Sequence, residues 1–292
     1  MTFLAVGDVN ADITITTRGP VARGGDTPGT VSVVAGGSAA NVAAGVGRLG
    51  VASRFVGVIG DDLLGGILVD SLRRNGVDVR PVRRADVSSR AIAALIDTEG
   101  DRSMVSDLTT QTVMRLDDID PTWFDGVSWL HLTAYTWFAD GGPDVWAAIR
   151  GLARQRGVPW SVDPSSAEML GRVRPVDEAH AAFNGARVIF PNEIEAERLT
   201  GLSDIDAAAR SLLDLASEVV VTCGERGVVS VGRAHPLRHH RAHDAEVVNT
   251  LGAGDAFAAG YIADTLAEQD VERCVERGLA AAADVVASSR AH

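Results

Sequence analysis

The 292-residue chain contains no lysine; all 27 of its basic residues are arginine. That absence excludes a Walker A lysine, a Schiff-base lysine and any kinase ion pair built on lysine. Cysteine is nearly as scarce. Cys223 and Cys274 stand far apart in unrelated contexts, so neither a disulfide framework nor a zinc-ligand spacing can be assembled from them, and a reducing cytoplasm is the expected compartment. No apolar run approaches the roughly 20 residues of a membrane span, and the opening "MTFLAVGDVNAD" has neither a basic leader nor a small-residue cleavage site. Positive charge is also short. The formal net charge of −12 argues against nucleic acid as a partner, because phosphate-backbone binding draws on clustered excess Lys and Arg.

What is abundant is apolar residues, at 46%, together with 31 glycines. Short apolar runs at 3–7, 31–34, 54–59, 91–97, 129–133, 160–163, 187–190 and 218–222 read as buried strands. Helical patterns at 38–49, 63–75, 143–156, 193–199 and 207–215 alternate with many of them. This alternation predicts an α/β fold with a mostly parallel central sheet and helices on both faces. Residues 11–30 and 88–110 break the rhythm with β-like alternation and no helix, the pattern of a small β-sheet lid. No repeat or linker divides the chain, so residues 1–292 are expected to form one domain. The cluster His235, His239, His240 and His243 lacks a carboxylate at fixed ligand spacing and reads as a solvated hairpin, not a metal site. Trp123, Trp129, Tyr135, Trp137 and Trp146 fall in one third of the chain and read first as core packing.

Chemistry enters at residues 249–257, "NTLGAGDAF". Glycines let the backbone approach a ligand closely, and Gly252, Ala253 and Gly254 run straight into an apolar helical pattern, so free amides at a positive helix end would form an anion hole. Asp255 could simply cap that helix. An acid beside bound phosphates has a further use, which is to accept the proton of an attacking hydroxyl. A dinucleotide fingerprint starting at Gly252 would want glycine where Phe257 stands, and a Walker A loop fails for want of lysine.

Further stretches add weight. "GGSAANVA" at 36–43 offers Gly37 for close approach and Asn41 as a donor and acceptor for hydroxyls. "GDVNAD" at 7–12 puts Asn10 and Asp12 on one side of an extended chain, suited to adjacent sugar hydroxyls. In "PNEIE" at 191–195, Glu195 could hold a magnesium-bound water or complete a capping box with Asn192; both readings stand. "VVVTCGERG" at 219–227 is a buried strand ending in a glycine-marked turn, either a nucleotide shelf or an ordinary hairpin.

In this order the motifs, with "GVIGDDLLG" and "NTLGAGDAFAAG", resemble the ribokinase or PfkB family of carbohydrate kinases over residues 3–260. The resemblance implies MgATP as phosphoryl donor, a small-molecule sugar as acceptor, and a lid that closes over the sugar and can pair two chains as a homodimer. It implies Asp255 as catalytic base, Gly252, Ala253 and Gly254 as anion hole, and Asn10, Asp12, Gly37 and Asn41 as the sugar site. Asn192 and Glu195 match an element near phosphate and Mg2+, and Thr222, Gly224 and Gly227 match the nucleotide shelf. Asn249 stands where most relatives carry Asp, an acid associated with a monovalent-cation site, which counts against potassium activation. A nucleoside kinase of the same superfamily and a non-catalytic sugar sensor are the alternative expectations.

Overall fold

The computed structural model describes residues 1–79, 83–85, 87–97, 102–106, 113–248 and 250–288. In chain order the strands are β1 (Thr2–Val6), β2 (Asn10–Thr17), β3 (Gly29–Gly36), β4 (Ala52–Val56), β5 (Val58–Gly60), β6 (Val77–Asp78), β7 (Arg83–Ala85), β8 (Ala91–Ile96) and β9 (Arg102–Ser106), followed by β10 (Val127–Thr133), β11 (Trp160–Asp163), β12 (Ala186–Ile189), β13 (Ala216–Thr222), β14 (Val228–Gly232) and β15 (His235–His240). The helices are α1 (Ser38–Arg48), α2 (Leu63–Arg74), α3 (Ala134–Phe138), α4 (Gly142–Gln155), α5 (Val176–Phe183), α6 (Glu193–Thr200), α7 (Ile205–Ser211), α8 (Ala253–Leu266) and α9 (Val271–Val286).

The central sheet runs β15-β14-β13-β12-β11-β10-β1-β4-β6. It is parallel from β13 to β6, with β14 and β15 added antiparallel as a hairpin. Alternation along each strand divides the core between two faces. Leu4, Val6, Leu130 and Leu132 pack with Trp137, Trp146, Phe183 and Leu199 on the side of α3 to α7. Phe3, Ala5 and Trp129 pack with Val42, Phe257 and Leu279 on the side of α1, α2, α8 and α9. The expected doubly covered parallel sheet is therefore present, and Trp123, Trp129, Trp137 and Trp146 are buried core residues.

A separate four-stranded sheet, β3-β2-β8-β9, forms the lid. One expectation needs correcting here. The run at 31–34 reads as a buried strand, but it lies in β3 at the edge of this small sheet, paired among the described residues with β2, and Val31 and Val33 are exposed. A short valine run cannot reveal which sheet it joins, since β-propensity records fit to a pleated surface and not burial on both faces. The run at 54–59 is likewise two strands, because β4 and β5 separate at Gly57. Residues 98–101 and 107–110 of the expected lid, and Asn249 with its implication for potassium, lie outside the described residues.

The histidine-rich segment forms β15 and the residues just after it, and two of its side chains face carboxylates: His239 lies 3.0 Å from Asp206 and His243, beyond the strand, lies 2.9 Å from Glu276. Among the described residues no group of three or more His, Cys, Asp or Glu is gathered as a metal-ligand cluster, and no helix is long and apolar enough to cross a membrane.

Candidate active site

Helix α8 begins at Gly252, whose φ of 78° is a left-handed conformation that glycine adopts without strain. Ala253, Gly254 and Asp255 occupy the first turn, where an N–H has no carbonyl one turn back in the helix. The Ala253 amide leans toward Thr250 O at 3.4 Å, a weak contact. A Cβ at Gly254 would meet nothing within 4 Å, so that side of the turn is open.

Small residues let α8 lie close against α1. A Cβ at Gly45 would sit 2.6 Å from Ala259 Cβ, so the close approach of the two helices depends on the missing side chain. Their N-termini meet as a result. Ser38 Oγ donates to Asp255 Oδ1 at 2.7 Å, and Asn41 Nδ2 donates to Asp255 Oδ2 at 2.8 Å. Burial pushes the Asp255 carboxyl up to about 6, with the bonds from Asn41 and Ser38 opposing and the charges of Asp8 and Asp12 adding to the rise.

The lid is rooted at the same place. β2 starts at Asn10 and β3 ends at Gly36, where they pair in register. Asn10 Nδ2 donates to Asp12 Oδ1 at 2.6 Å, joining the two residues singled out from "GDVNAD". The Asp12 carboxyl is raised, chiefly by burial, against that bond from Asn10 and with Asp8 adding. Gly37 caps α1 with φ 102°, and a Cβ there would lie 2.6 Å from Val9 Cα. Asp8 escaped the sequence reading. Its carboxylate accepts from Ser38 N at 2.8 Å, Ala39 N at 3.3 Å and Thr133 Oγ1 at 2.8 Å, and so fixes the start of α1 against the ends of β1 and β10. The available signal was its position, a charge immediately after the apolar run of β1.

Along the same sheet edge, at the C-terminal ends of β12 and β13, stand the remaining motifs. Asn192 and Glu195 form the capping box: Asn192 Oδ1 accepts from Glu195 N, and Glu195 Oε2 accepts from Asn192 N, both at 2.9 Å. Thr222 N donates to Pro191 O at 2.9 Å, which ties this turn to the end of β13. Gly224 and Gly227 shape the next turn, with φ of 58° and 93°, and Arg226 reaches back to pair with Glu193. Glu195 is buried, which pushes its carboxyl up to about 7 despite the bonds with Asn192, with Asp255 adding. Asp163, at the end of β11 and also missed in the sequence, is raised well above the usual carboxylate range by burial and then by Glu195 and Asp255. Acids from several separate segments thus converge on the carboxyl edge of a parallel sheet, the usual place for a ligand in this architecture.

The whole chain, residues 2–292, matches the family model described as pfkB family carbohydrate kinase. It is 34% identical over 275 residues to an ATP-dependent ribose-1-phosphate kinase from Halopiger xanaduensis, covering 94% of this chain and 88% of that one. It is 31% identical over 239 residues to a fructokinase from Escherichia coli, covering 78% and 75%. Among solved structures, Arabidopsis thaliana ribokinase complexed with ribose and ATP superposes with a TM-score of 0.83 at 23% identity, covering 99% and 93%. Adenosine kinase from Sinorhizobium meliloti gives 0.86 at 24% identity, covering 98% and 94%, and both superpositions establish the fold. The chain belongs to the pfkB family of carbohydrate kinases.

Proposed function

We propose that this pfkB-family kinase transfers the γ-phosphoryl group of ATP to a hydroxyl of a small sugar, with Asp255 as general base. The observation that carries the reading is the placement of Asp255: in the first turn of α8, its two oxygens held by Ser38 and Asn41 at the root of the lid. The hydroxyl oxygen forms its bond to the γ-phosphorus as the bond to the β–γ bridging oxygen breaks, and the hydroxyl proton passes to an Asp255 oxygen. ADP and a sugar phosphate are the products. The amides of Gly252, at the cap, and of Ala253 and Gly254, in the first turn, face the charge that develops on the transferring group, and alignment with charge stabilisation supplies most of the acceleration. Asn10, Asp12, Gly37 and Asn41 bind the sugar hydroxyls, with the lid excluding water.

Thr222, Gly224 and Gly227 form the floor for the nucleotide. Glu195 and Asp163 fit a divalent cation held through water, since both are oxygen acids whose crowding beside Asp255 disfavours their own charge. Bound there, Mg2+ would supply neutralisation of the phosphate oxygens. Cytoplasmic residence belongs to the same reading and is supported by two free, buried cysteines.

ADP release in the presence of ATP, Mg2+ and ribose, fructose, 2-keto-3-deoxygluconate or adenosine tests the reading. Turnover of a sugar but not of adenosine is expected. Turnover of adenosine alone makes the chain a nucleoside kinase, and silence across the panel makes it a sugar-binding protein without transferase activity.

A further inference from the structure

Beside the acidic row lies a cavity of about 100 Å³ lined by Asp8, Val9, Arg90, Met114, Tyr135 and Thr136 among others. Among the described residues that line it, Arg90 is the one cation. It stands just before β8, and its carbonyl accepts from Ala11 N at 2.8 Å, so it sits alongside β2 between Asn10 and Asp12. The residue is half-buried, and among the described residues its guanidinium has no hydrogen-bond or ion-pair partner. A guanidinium beside Val9, Val58, Met114 and Ala139 has lost part of its water without gaining an ion-pair partner among the described residues.

Asp8 does not fill that role. Its hydrogen bonds come instead from the Ser38 and Ala39 amides and the Thr133 hydroxyl, all on the side of α1 and β10. Tyr135 gives its hydroxyl proton to Ser165 O at 3.1 Å, so it offers no competing anion. What remains is a planar cationic fork, with the Thr136 hydroxyl as a second donor, at the wall of the place where the sugar is read to bind. We infer that Arg90 is a specificity residue for an anionic substituent, phosphate or carboxylate, on the acceptor sugar. Guanidinium is the side chain whose geometry matches both groups with paired hydrogen bonds.

The inference rests on the reading of the neighbouring motifs as a sugar site, but its test does not require turnover. Dissociation constants are measured by calorimetry, without nucleotide, for matched pairs: ribose 1-phosphate against ribose, fructose 6-phosphate against fructose, and gluconate against glucose. At least one anionic member is expected to bind about tenfold or more tightly than its neutral partner, the worth of a charge-assisted contact. The phosphate and carboxylate arms tell which group the fork takes. Arg90→Gln is expected to collapse that ratio to below about threefold, while Arg90→Lys, which keeps the charge, retains part of it. Ratios near one in every pair of the wild type, or a ratio unchanged in Arg90→Gln, overturn the inference. An anionic preference abolished by Arg90→Gln but accompanied by no ADP release would leave the anion subsite standing and remove the kinase reading instead.

Discussion

Asn41 donates its side-chain amide to Asp255 Oδ2 at 2.8 Å, joining the N-terminal turns of two helices that are 214 residues apart in sequence. The bond orients the carboxylate and lowers its proton affinity, while burial works the other way and leaves the group at about 6. A base with that affinity is mostly ionised at neutral pH yet basic enough to accept a proton in a transition state.

Asp255→Asn is expected to lower kcat by about 10²–10⁴-fold, the range for a lost general base, with sugar affinity largely retained. Steady-state kinetics beside calorimetric binding checks both halves.

The same variant should be more stable than the wild type at pH 8. A carboxyl whose folded affinity is raised to about 6 binds its proton more tightly folded than unfolded, so its ionisation costs stability as pH rises through the interval from the ordinary carboxylate range to about 6. Thermal unfolding of both proteins at pH 4 and pH 8 should give a melting-temperature gain for Asp255→Asn only at the higher pH.

The acid limb of kcat/KM should follow that group, rising with pH through about 6. Because the Asn41 amide favours the charged form, Asn41→Leu should move the limb to higher pH. A limb that stays in place would detach the profile from Asp255.

Glu195→Gln keeps the oxygen that completes the capping box and removes the charge. Unfolding should therefore be no easier than in the wild type, while the Mg2+ concentration for half-maximal activity rises several-fold. Equal Mg2+ titrations would leave Glu195 with capping alone.

The lid presents an apolar face away from Asp12. Register places Val33, Ile13, Ala93 and Val105 side by side, with Val31, Ile15 and Leu95 in the next row. Val31, Val33 and Val105 are exposed, which suits pairing of two lids. Sedimentation at micromolar concentration should give a dimer, and Val33→Asp should give a monomer.

Contiguous motifs were legible because they are local backbone requirements. Gly252 and Gly37 hold left-handed φ at helix starts, and such demands leave glycines in the chain wherever the fold needs them. Asn10 with Asp12, and Asn192 with Glu195, could be paired from spacing alone and do bond to each other. Asp8, Arg90, Thr133 and Asp163 were not legible, since each is a lone polar residue whose meaning depends on which strand ends the topology brings together. The sheet order that sets β1 between β10 and β4 is not written at any one position. β3 was misplaced for the same reason.

Both ends of the β2–β3 hairpin are anchored within a few residues of the chemistry, Asn10 at one end and Gly36 at the other, and Gly36 leads through Gly37 into the helix that carries Ser38 and Asn41. The root of that hairpin is continuous with the very donors that aim Asp255. The cover and the acid's two donors therefore share one continuous stretch of backbone, so whatever alters the hairpin's footing is felt at the carboxylate as well as at the rim of the cleft.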